Sequence, residues 1–265
     1  MVEPAAAVPA NALLPEVYPS FEAALAECGQ GYSDAALNAV RFYKAANIIQ
    51  QLSRGAAGDG LVATAAETIG IFQIVLDQFA QRCHVLDFGG GFALTYFLLR
   101  RRTPIPLRWA VVETPLTAAM GGAFESAELR FFDSVDAAHN WLGAIDVVHT
   151  NGALQYVPSP EIVLQQLAGF AARYVALLRC PFGAGSRSVQ IQQSPLSEQY
   201  AGPLPAGVAD RWIRYPHTSM SDAAFDLTLA SAGYVKVHSA GQRDLQSAHI
   251  ALRTDDHRLY EIRIS

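Results

Sequence analysis

The chain has 265 residues, of which 51% are hydrophobic and 16% are charged, and its formal net charge is −5. A chain of this length can bury a full core, and its apolar content is too high for a disordered protein. The acidic balance argues against a surface built mainly for nucleic acid or anionic lipid, and no apolar run reaches the roughly 20 residues that a membrane-spanning helix needs.

The first 60 residues predict a flexible arm followed by a helical cap. Residues 1–19 are rich in alanine and proline and have little to bury. Helical patterns follow at 21–28 and from Asp34, where Ser33 is placed to cap the second helix. We expect residues 20–60 to form an N-terminal cap, which could instead serve as the interface of a homodimer.

A longer segment, residues 61–265, has the pattern of an α/β domain. After a helix at about 62–79, apolar runs of strand length alternate with helical segments, and both faces of each run are apolar, as in buried parallel strands. The candidate strands are 84–88, 107–112, 129–132, 145–150 and 174–178. This alternation predicts a doubly wound, mostly parallel α/β sheet with right-handed crossovers.

The regular alternation stops after Cys180. Residues 181–218 are rich in glycine, proline, serine and glutamine, and we expect them to form a long irregular insertion that covers the substrate. A helix at 221–232 and two closing strands, at 234–238 and 249–253, follow the insertion. The closing strands bring the predicted number to seven and are expected to pair in antiparallel fashion.

A glycine-rich turn follows the first strand of this domain. Asp87 ends the strand, Gly89, Gly90 and Gly91 form the turn, and a helix starts after them. Glycines let backbone N–H groups approach a ligand closely. A dinucleotide fingerprint needs glycine or alanine where Leu94 stands, and the Asp87 carboxylate would repel a pyrophosphate. The turn therefore favours a cationic ligand over a dinucleotide.

The segment from Asp87 to Ala93 resembles the first motif of the class I S-adenosylmethionine-dependent methyltransferases, with Ala93 in place of the last glycine. Three later segments, at 109–113, 131–134 and 146–157, resemble the second, third and fourth motifs of that family. The resemblance extends from about Val62 to the C-terminus. It implies a Rossmann-like methyltransferase fold with a seven-stranded sheet, S-adenosylmethionine as the methyl donor and S-adenosylhomocysteine as the product.

The same resemblance assigns roles to single residues. Asp87 and the three glycines of the turn would hold the donor, and Glu113 would bind both ribose hydroxyls, because a carboxylate can accept two hydrogen bonds from a diol. Asp133 or Ser134 would read the adenine amino group, and Asn151 would lie near the ligand. Each residue has a structural alternative: the aspartates and Ser134 could cap helices, Glu113 could be a solvated acid, and Asn151 could be a turn residue.

Two histidines are candidates for a general base. His149 lies near the carboxyl end of the fourth strand and His217 lies in the insertion, and a histidine can accept a proton from a substrate hydroxyl near neutral pH. Either one could instead be structural, His149 as a buried residue and His217 as a surface residue. Four aromatic residues could line a substrate pocket or anchor the insertion: Tyr156, Tyr200, Trp212 and Tyr215.

The cysteines and histidines show no metal-ligand spacing. Cys28, Cys83 and Cys180 form no C-x-x-C pair, and the chain starts without a basic signal region. These features predict reduced thiols in a cytoplasmic protein without a metal.

The sequence therefore predicts methyl transfer to a small molecule, with a sugar hydroxyl as the acceptor by analogy. Short matches at 21–25, 31–32 and 154–156 resemble a little-studied group of bacterial methyltransferases that often accompany surface-polysaccharide genes. Asn151 does not start the tetrapeptide Asn-Pro-Pro-Tyr/Phe, which methyltransferases that act on the amino groups of bases or of glutamine tend to carry. Its absence, together with the acidic net charge, disfavours a nucleic acid substrate. The alternatives are an NAD(P)-dependent oxidoreductase on a related fold and a non-catalytic methyltransferase-like partner protein. We expect Asp87→Ala or Glu113→Ala to weaken donor binding and to leave the fold intact.

Overall fold

The computed structural model describes residues 12–55, 59–183, 187–241 and 255–263. The strands in these ranges are β1 (Ala12–Leu13), β2 (Cys83–Phe88), β3 (Leu107–Val112), β4 (Leu129–Phe132), β5 (Val147–Asn151), β6 (Tyr174–Gly183), β7 (Ser188–Pro195), β8 (Trp212–Ser221), β9 (Tyr234–Gly241) and β10 (Asp255–Ile262). The α-helices are α1 (Phe21–Cys28), α2 (Ala35–Ser53), α3 (Asp59–Leu76), α4 (Leu94–Arg100), α5 (Pro115–Gly121), α6 (Val135–Leu142), α7 (Pro160–Ala168) and α8 (Asp222–Ser231).

Seven of these strands form the main sheet, in the order β4-β3-β2-β5-β6-β10-β9. The pairs from β4 to β6 are parallel, whereas β10 is antiparallel to both β6 and β9. The prediction of a doubly wound, mostly parallel seven-stranded sheet is confirmed. The predicted strand 249–253 lies outside the described residues, and the last described strand, β10, starts at Asp255.

Both faces of the main sheet are covered by helices. Val85 and Trp109 belong to a core cluster with buried residues of α2, α3 and α4, whereas Leu86 and Ala110 belong to a second cluster with α6, α7 and α8. Side chains alternate between the two faces along each strand. This alternation explains why both faces of these strands are apolar in the sequence.

The N-terminal helices start at different capping residues from the one predicted. The Ser20 hydroxyl accepts a hydrogen bond from Ala23 N at 3.1 Å and caps α1. At α2 the cap is Asp34, whose carboxylate accepts from Leu37 N at 2.8 Å. Ser33 instead ends a short 3₁₀ turn, so the prediction that it caps α2 is wrong.

The segment after β6 contains a β-hairpin where the sequence predicted an irregular insertion. β7 and β8 pair in antiparallel fashion over eight residue pairs, and β8 joins the end of β6 through Phe182 and Gly183. The sequence did not predict β7, because Gln190, Gln192 and Gln193 make this segment polar in composition. On one face of this hairpin, Ile213 and Tyr215 pack against Leu37 of α2.

Within the described ranges, no helix combines the length and the apolar composition that crossing a membrane requires.

Candidate active site

A cavity of about 840 Å³ opens at the carboxyl ends of β2, β3 and β5. This is the edge of a parallel α/β sheet at which ligands bind in related architectures. Its walls come from the glycine turn, the loops after β3, β4 and β5, the cap helix α2 and the hairpin segment. Eight of the ten predicted site residues line it: Gly89, Gly90, Gly91, Glu113, Asp133, Ser134, His149 and Asn151.

The glycine turn needs glycine for two physical reasons. Gly89 and Gly91 have φ values of 69° and 58°, in the left-handed region that side chains rarely adopt. A Cβ at Gly89 would collide with Ala153, and a Cβ at Gly91 would collide with the Tyr200 hydroxyl. Ala93 also has a positive φ, of 60°, at the start of α4. Ala93 thus adopts a left-handed conformation at the position where the first motif of the methyltransferases that the sequence resembles has its last glycine.

Glu113 lies at the end of β3 with its carboxylate on the cavity wall. Oε1 accepts a hydrogen bond from Gly91 N at 3.0 Å, and Oε2 accepts one from Thr114 N at 2.9 Å. The side chain is 10% exposed. Each carboxylate oxygen can accept a further hydrogen bond. The carboxylate is therefore held in a fixed orientation and retains the capacity to accept hydrogen bonds from two hydroxyl groups.

Asp133 and Ser134 follow β4 on the rim of the same cavity. Both side chains are exposed, and the Ser134 hydroxyl accepts a hydrogen bond from Ala137 N at 3.2 Å. Ser134 therefore caps α6, as the structural alternative predicted, while it also lines the cavity. The assignment of either residue to adenine stays a prediction.

The structure corrects the position expected for Asp87. This residue is fully buried and lies behind the glycine turn rather than on the cavity wall. Oδ2 accepts a hydrogen bond from Trp109 Nε1 at 2.9 Å, and Oδ1 lies 2.8 Å from His149 Nδ1. Asp87 points to the same face of the sheet as these partners, because the register places it beside His149. Direct contact of Asp87 with a ligand in the cavity is therefore not supported.

His149 and Asn151 present hydrogen-bond acceptors to the cavity wall. Both belong to β5, two residues apart, so their side chains lie on the same face. Because the carboxylate of Asp87 accepts from His149 Nδ1, the ring proton is assigned to Nδ1 and the lone pair to Nε2. Within the described residues, neither His149 Nε2 nor Asn151 Oδ1 has a hydrogen-bond partner. Unpaired buried acceptors are costly, and they are often explained by a ligand or by water.

The structure separates His217 from the cavity. It lies in β8, is 4% exposed and is not among the residues that line the cavity. Its ring packs edge-on against Tyr156 at 5.8 Å between centroids. Burial lowers its pKa to about 4, so the ring is neutral near pH 7. The expectation that His217 is a surface histidine is wrong, because the hairpin folds it into the interior. Its role as a general base stays a prediction, which its position away from the cavity does not support.

This burial predicts a specific acid sensitivity of the fold. In the unfolded chain His217 titrates near 6.5, whereas in the folded protein it titrates near 4, so the unfolded state binds more protons between these values. The stability contribution is therefore complete above pH 6.5 and is lost as the pH falls to 4, by about 1.4 kcal/mol per pH unit. Urea unfolding at pH 7 and pH 4.5 should show a loss about 2–3 kcal/mol larger for the wild type than for His217→Gln. Equal losses would contradict the buried neutral ring.

Three of the four predicted aromatic residues line the cavity. They are Tyr156, Tyr200 and Tyr215, whereas Trp212 is 47% exposed and lies elsewhere on the hairpin. The Tyr156 hydroxyl donates to Gln192 Oε1 at 2.9 Å, and the Tyr32 ring packs against Tyr156 and Tyr215 at 5.0 and 4.7 Å between centroids.

Sequence reasoning gave no site role to several residues that line the cavity, among them Arg41 and Tyr32. Arg41, on α2, places Nη2 3.9 Å from Glu113 Oε1, and Tyr32 precedes the same helix. Arg41 belongs to no local motif, and Tyr32 lies only in the short match at 31–32. For Arg41, the available signal was a cation within a largely apolar helical segment. Across the described residues, no three histidine, cysteine, aspartate or glutamate side chains come close enough together to hold a metal ion.

No protein-family model and no curated protein matches the sequence. A solved 1,6-didemethyltoxoflavin-N1-methyltransferase from Burkholderia thailandensis, with 1,6-didemethyltoxoflavin and S-adenosylhomocysteine bound, matches with 15% identity and a TM-score of 0.51, over 100% of this chain and 99% of its own. An amino pentose methyltransferase from Micromonospora echinaspora matches with 15% identity and a TM-score of 0.49, over 81% of this chain and 96% of its own. A sugar N-methyltransferase from Streptoalloteichus matches with 18% identity and a TM-score of 0.48, over 81% and 92%.

At 15% identity, the full-length match with a TM-score of 0.51 establishes the fold alone. In the main sheet of this chain, β10 is antiparallel to both of its neighbours and inserted between β6 and β9. The chain therefore has the Rossmann-like fold of the class I S-adenosylmethionine-dependent methyltransferases.

Proposed function

We propose that this protein transfers a methyl group from S-adenosylmethionine to a small-molecule acceptor. The observation that carries the proposal is the position of Glu113: a carboxylate fixed by two backbone N–H groups, at the end of the second parallel strand, beside a left-handed glycine turn. A solved protein of the same fold holds S-adenosylhomocysteine.

The residues present fit this donor. Glu113 has spare acceptor capacity for the two ribose hydroxyls, and the glycines of the turn carry no side chains of their own, so that a ligand can approach their backbone closely. Asp133 and Ser134 lie on the rim where the adenine amino group would be read. S-adenosylmethionine would supply an electrophilic methyl group whose transfer needs alignment of donor and acceptor more than it needs covalent help from the protein.

The other part of the cavity, which Arg179 and Glu198 also line, is suited to a polar acceptor. Tyr32, Tyr156 and Tyr215 provide aromatic surface, and Gln192 provides an amide. Aromatic faces with a few polar groups are typical of sites for sugars and other ring-shaped small molecules. This composition favours a hydroxyl-bearing ring, and O-methylation, over a highly charged polymer.

His149 is our candidate for the general base of such an O-methylation. Its Nδ1 is bound to Asp87, so the lone pair of Nε2 remains for a hydroxyl proton, and the nearby Asn151 Oδ1 could orient the acceptor. Asp87 would then act through His149, as a positioning residue, and not by touching the donor.

Of the two sequence features that disfavour an oxidoreductase, Leu94 and Asp87, the structure weakens the argument from Asp87. Asp87 is behind the turn and engaged by two donors, so it would repel a pyrophosphate less than the sequence suggested. Leu94 still departs from the dinucleotide fingerprint, and the solved structure that matches over the full chain is a methyltransferase. The homodimer, the cytoplasmic location and the link to surface polysaccharides stay predictions.

Calorimetry on the purified full chain separates these functions. We expect S-adenosylhomocysteine to bind with a Kd in the micromolar range and NAD⁺ or NADP⁺ to show no binding at millimolar concentration, where affinity is below about 4 kcal/mol. Binding of a nicotinamide nucleotide but not of S-adenosylhomocysteine would overturn the proposal. The protein would then be incubated with S-adenosylmethionine and either a hydroxyl sugar or the matching amino sugar. The sugar that supports formation of S-adenosylhomocysteine would distinguish O-methylation from N-methylation.

A further inference from the structure

Tyr200, in the loop between the two strands of the hairpin, lies directly against the glycine turn. Its hydroxyl is 3.3 Å from Phe92 N, which donates to it, and it occupies the space that a side chain at Gly91 would need. Tyr200 has a φ of 58°, a left-handed conformation that tyrosine rarely adopts. A strained residue that contacts a ligand-binding turn is a reason to look for function.

Arg41 approaches the same place from the cap helix α2. Its guanidinium lies 3.9 Å from Glu113 Oε1 and 5.5 Å from the ring centroids of both Tyr200 and Tyr32. The side chain is 11% exposed. Burial by itself lowers the pKa of Arg41, but the Tyr200 hydroxyl and the Glu113 carboxylate outweigh it and raise the pKa above its usual value. The cation is therefore held between two tyrosines and the candidate ribose acid.

One turn further along the same helix, Lys44 holds the hairpin loop from behind. It is 1% exposed, and its Nζ donates to Ser197 O at 2.5 Å and to Tyr200 O at 3.3 Å. Arg41 and Lys44 are three residues apart and share a helix face. One face of α2 thus makes both contacts. Lys44 fixes the backbone of Tyr200, and Arg41 approaches the Glu113 carboxylate.

We infer that Arg41 and Tyr200 form a clasp over the donor subsite, so that a bound donor leaves only when the cap helix and the hairpin loop move apart. The inference rests on the proposed function, since it assumes that the donor lies in the cavity against the glycine turn and Glu113. Both clasp residues line the cavity, and each comes from a different segment outside the main sheet. Donor release then becomes a conformational step, of the kind that limits turnover in many enzymes with lids.

Stopped-flow release of S-adenosylhomocysteine from the full chain tests this inference. Removing the cation in Arg41→Met should raise the dissociation rate about tenfold, and removing one hydroxyl in Tyr200→Phe should raise it about threefold, while association rates change less. Arg100→Met is the matched control, because Arg100 pairs with Glu128 at 2.9 Å and does not line the cavity. Its release rate should equal that of the wild type.

The outcomes are distinguishable. If the wild type binds S-adenosylhomocysteine and both clasp variants release it at the wild-type rate, the clasp is overturned and the proposed function stands. If the wild type does not bind it, the proposed function itself fails. Should Arg41→Met fail to fold, Tyr200→Phe and Arg41→Lys supply the same comparison. Hydrogen exchange at 196–200 and along α2 should also slow on ligand binding in the wild type, and less in Tyr200→Phe; equal slowing in both would count against the clasp.

Discussion

Glu113→Ala is expected to lower the affinity for S-adenosylhomocysteine about 100-fold. The variant loses the two charge-assisted hydrogen bonds that the carboxylate would form with the ribose hydroxyls, together worth about 3 kcal/mol. Glu113→Gln keeps one acceptor oxygen and should lose about tenfold. Calorimetric titration of the three proteins measures both differences.

A stability control is needed because Glu113 also accepts hydrogen bonds from Gly91 N and Thr114 N. Their loss should cost about 1–2 kcal/mol of unfolding free energy, which leaves the fold intact. Glu128→Ala is the matched variant: Glu128 pairs with Arg100 and Tyr96, is partly exposed and lies outside the cavity. It should bind like the wild type. Unchanged binding by Glu113→Ala would remove the assignment of the ribose acid.

Asp87→Ala is expected to lower the unfolding free energy by about 3–5 kcal/mol, in contrast to the sequence-based expectation of an intact fold. The substitution leaves Trp109 Nε1 and His149 Nδ1 without their acceptor in a fully buried site. Urea denaturation followed by tryptophan fluorescence measures the loss, and Trp109 is itself a local reporter.

Asp133→Ala supplies the comparison for Asp87. Asp133 also lies near the carboxyl end of a parallel strand, but its side chain is exposed, so the unfolding free energy should change by less than about 0.5 kcal/mol. A double variant with His149→Ala should be less destabilised than the sum of the two single variants, because the partners share one hydrogen bond. Additive losses, or a loss below about 1 kcal/mol for Asp87→Ala, would show that the Asp87–His149 pair is not the anchor that the geometry indicates.

The sheet could be predicted from sequence because its signals are local. Strand β3, for example, has five apolar residues out of six, and β4 has three out of four, and both strands occur at the predicted bounds. The glycine turn and Glu113 were found in the same way, since each is defined by its position at the end of a strand. Parallel register then carries such residues to one edge of the sheet without further information.

The interior of the site could not be predicted in this way. Asp87 and His149 are 62 positions apart, and only the pairing of β2 with β5 makes them neighbours. Taking the penultimate residue of each of the predicted strands 84–88 and 145–150 would have suggested the pair. No comparable rule reaches Arg41 or Tyr200, because their positions depend on how the cap and the hairpin pack on each other.

The inserted last strand has a consequence for how the protein is made. β10 is the partner of both β6 and β9, and β9 pairs with no other described strand. During synthesis, the ribosome therefore produces β9 before β10, the strand that joins β9 to the rest of the sheet. Until residues 255–262 emerge, the edge of β6 that pairs with β10 stays open. Open edges can pair with other chains. A translation stop after residue 241 should therefore yield aggregating material, whereas a chain that includes β10 can close the sheet.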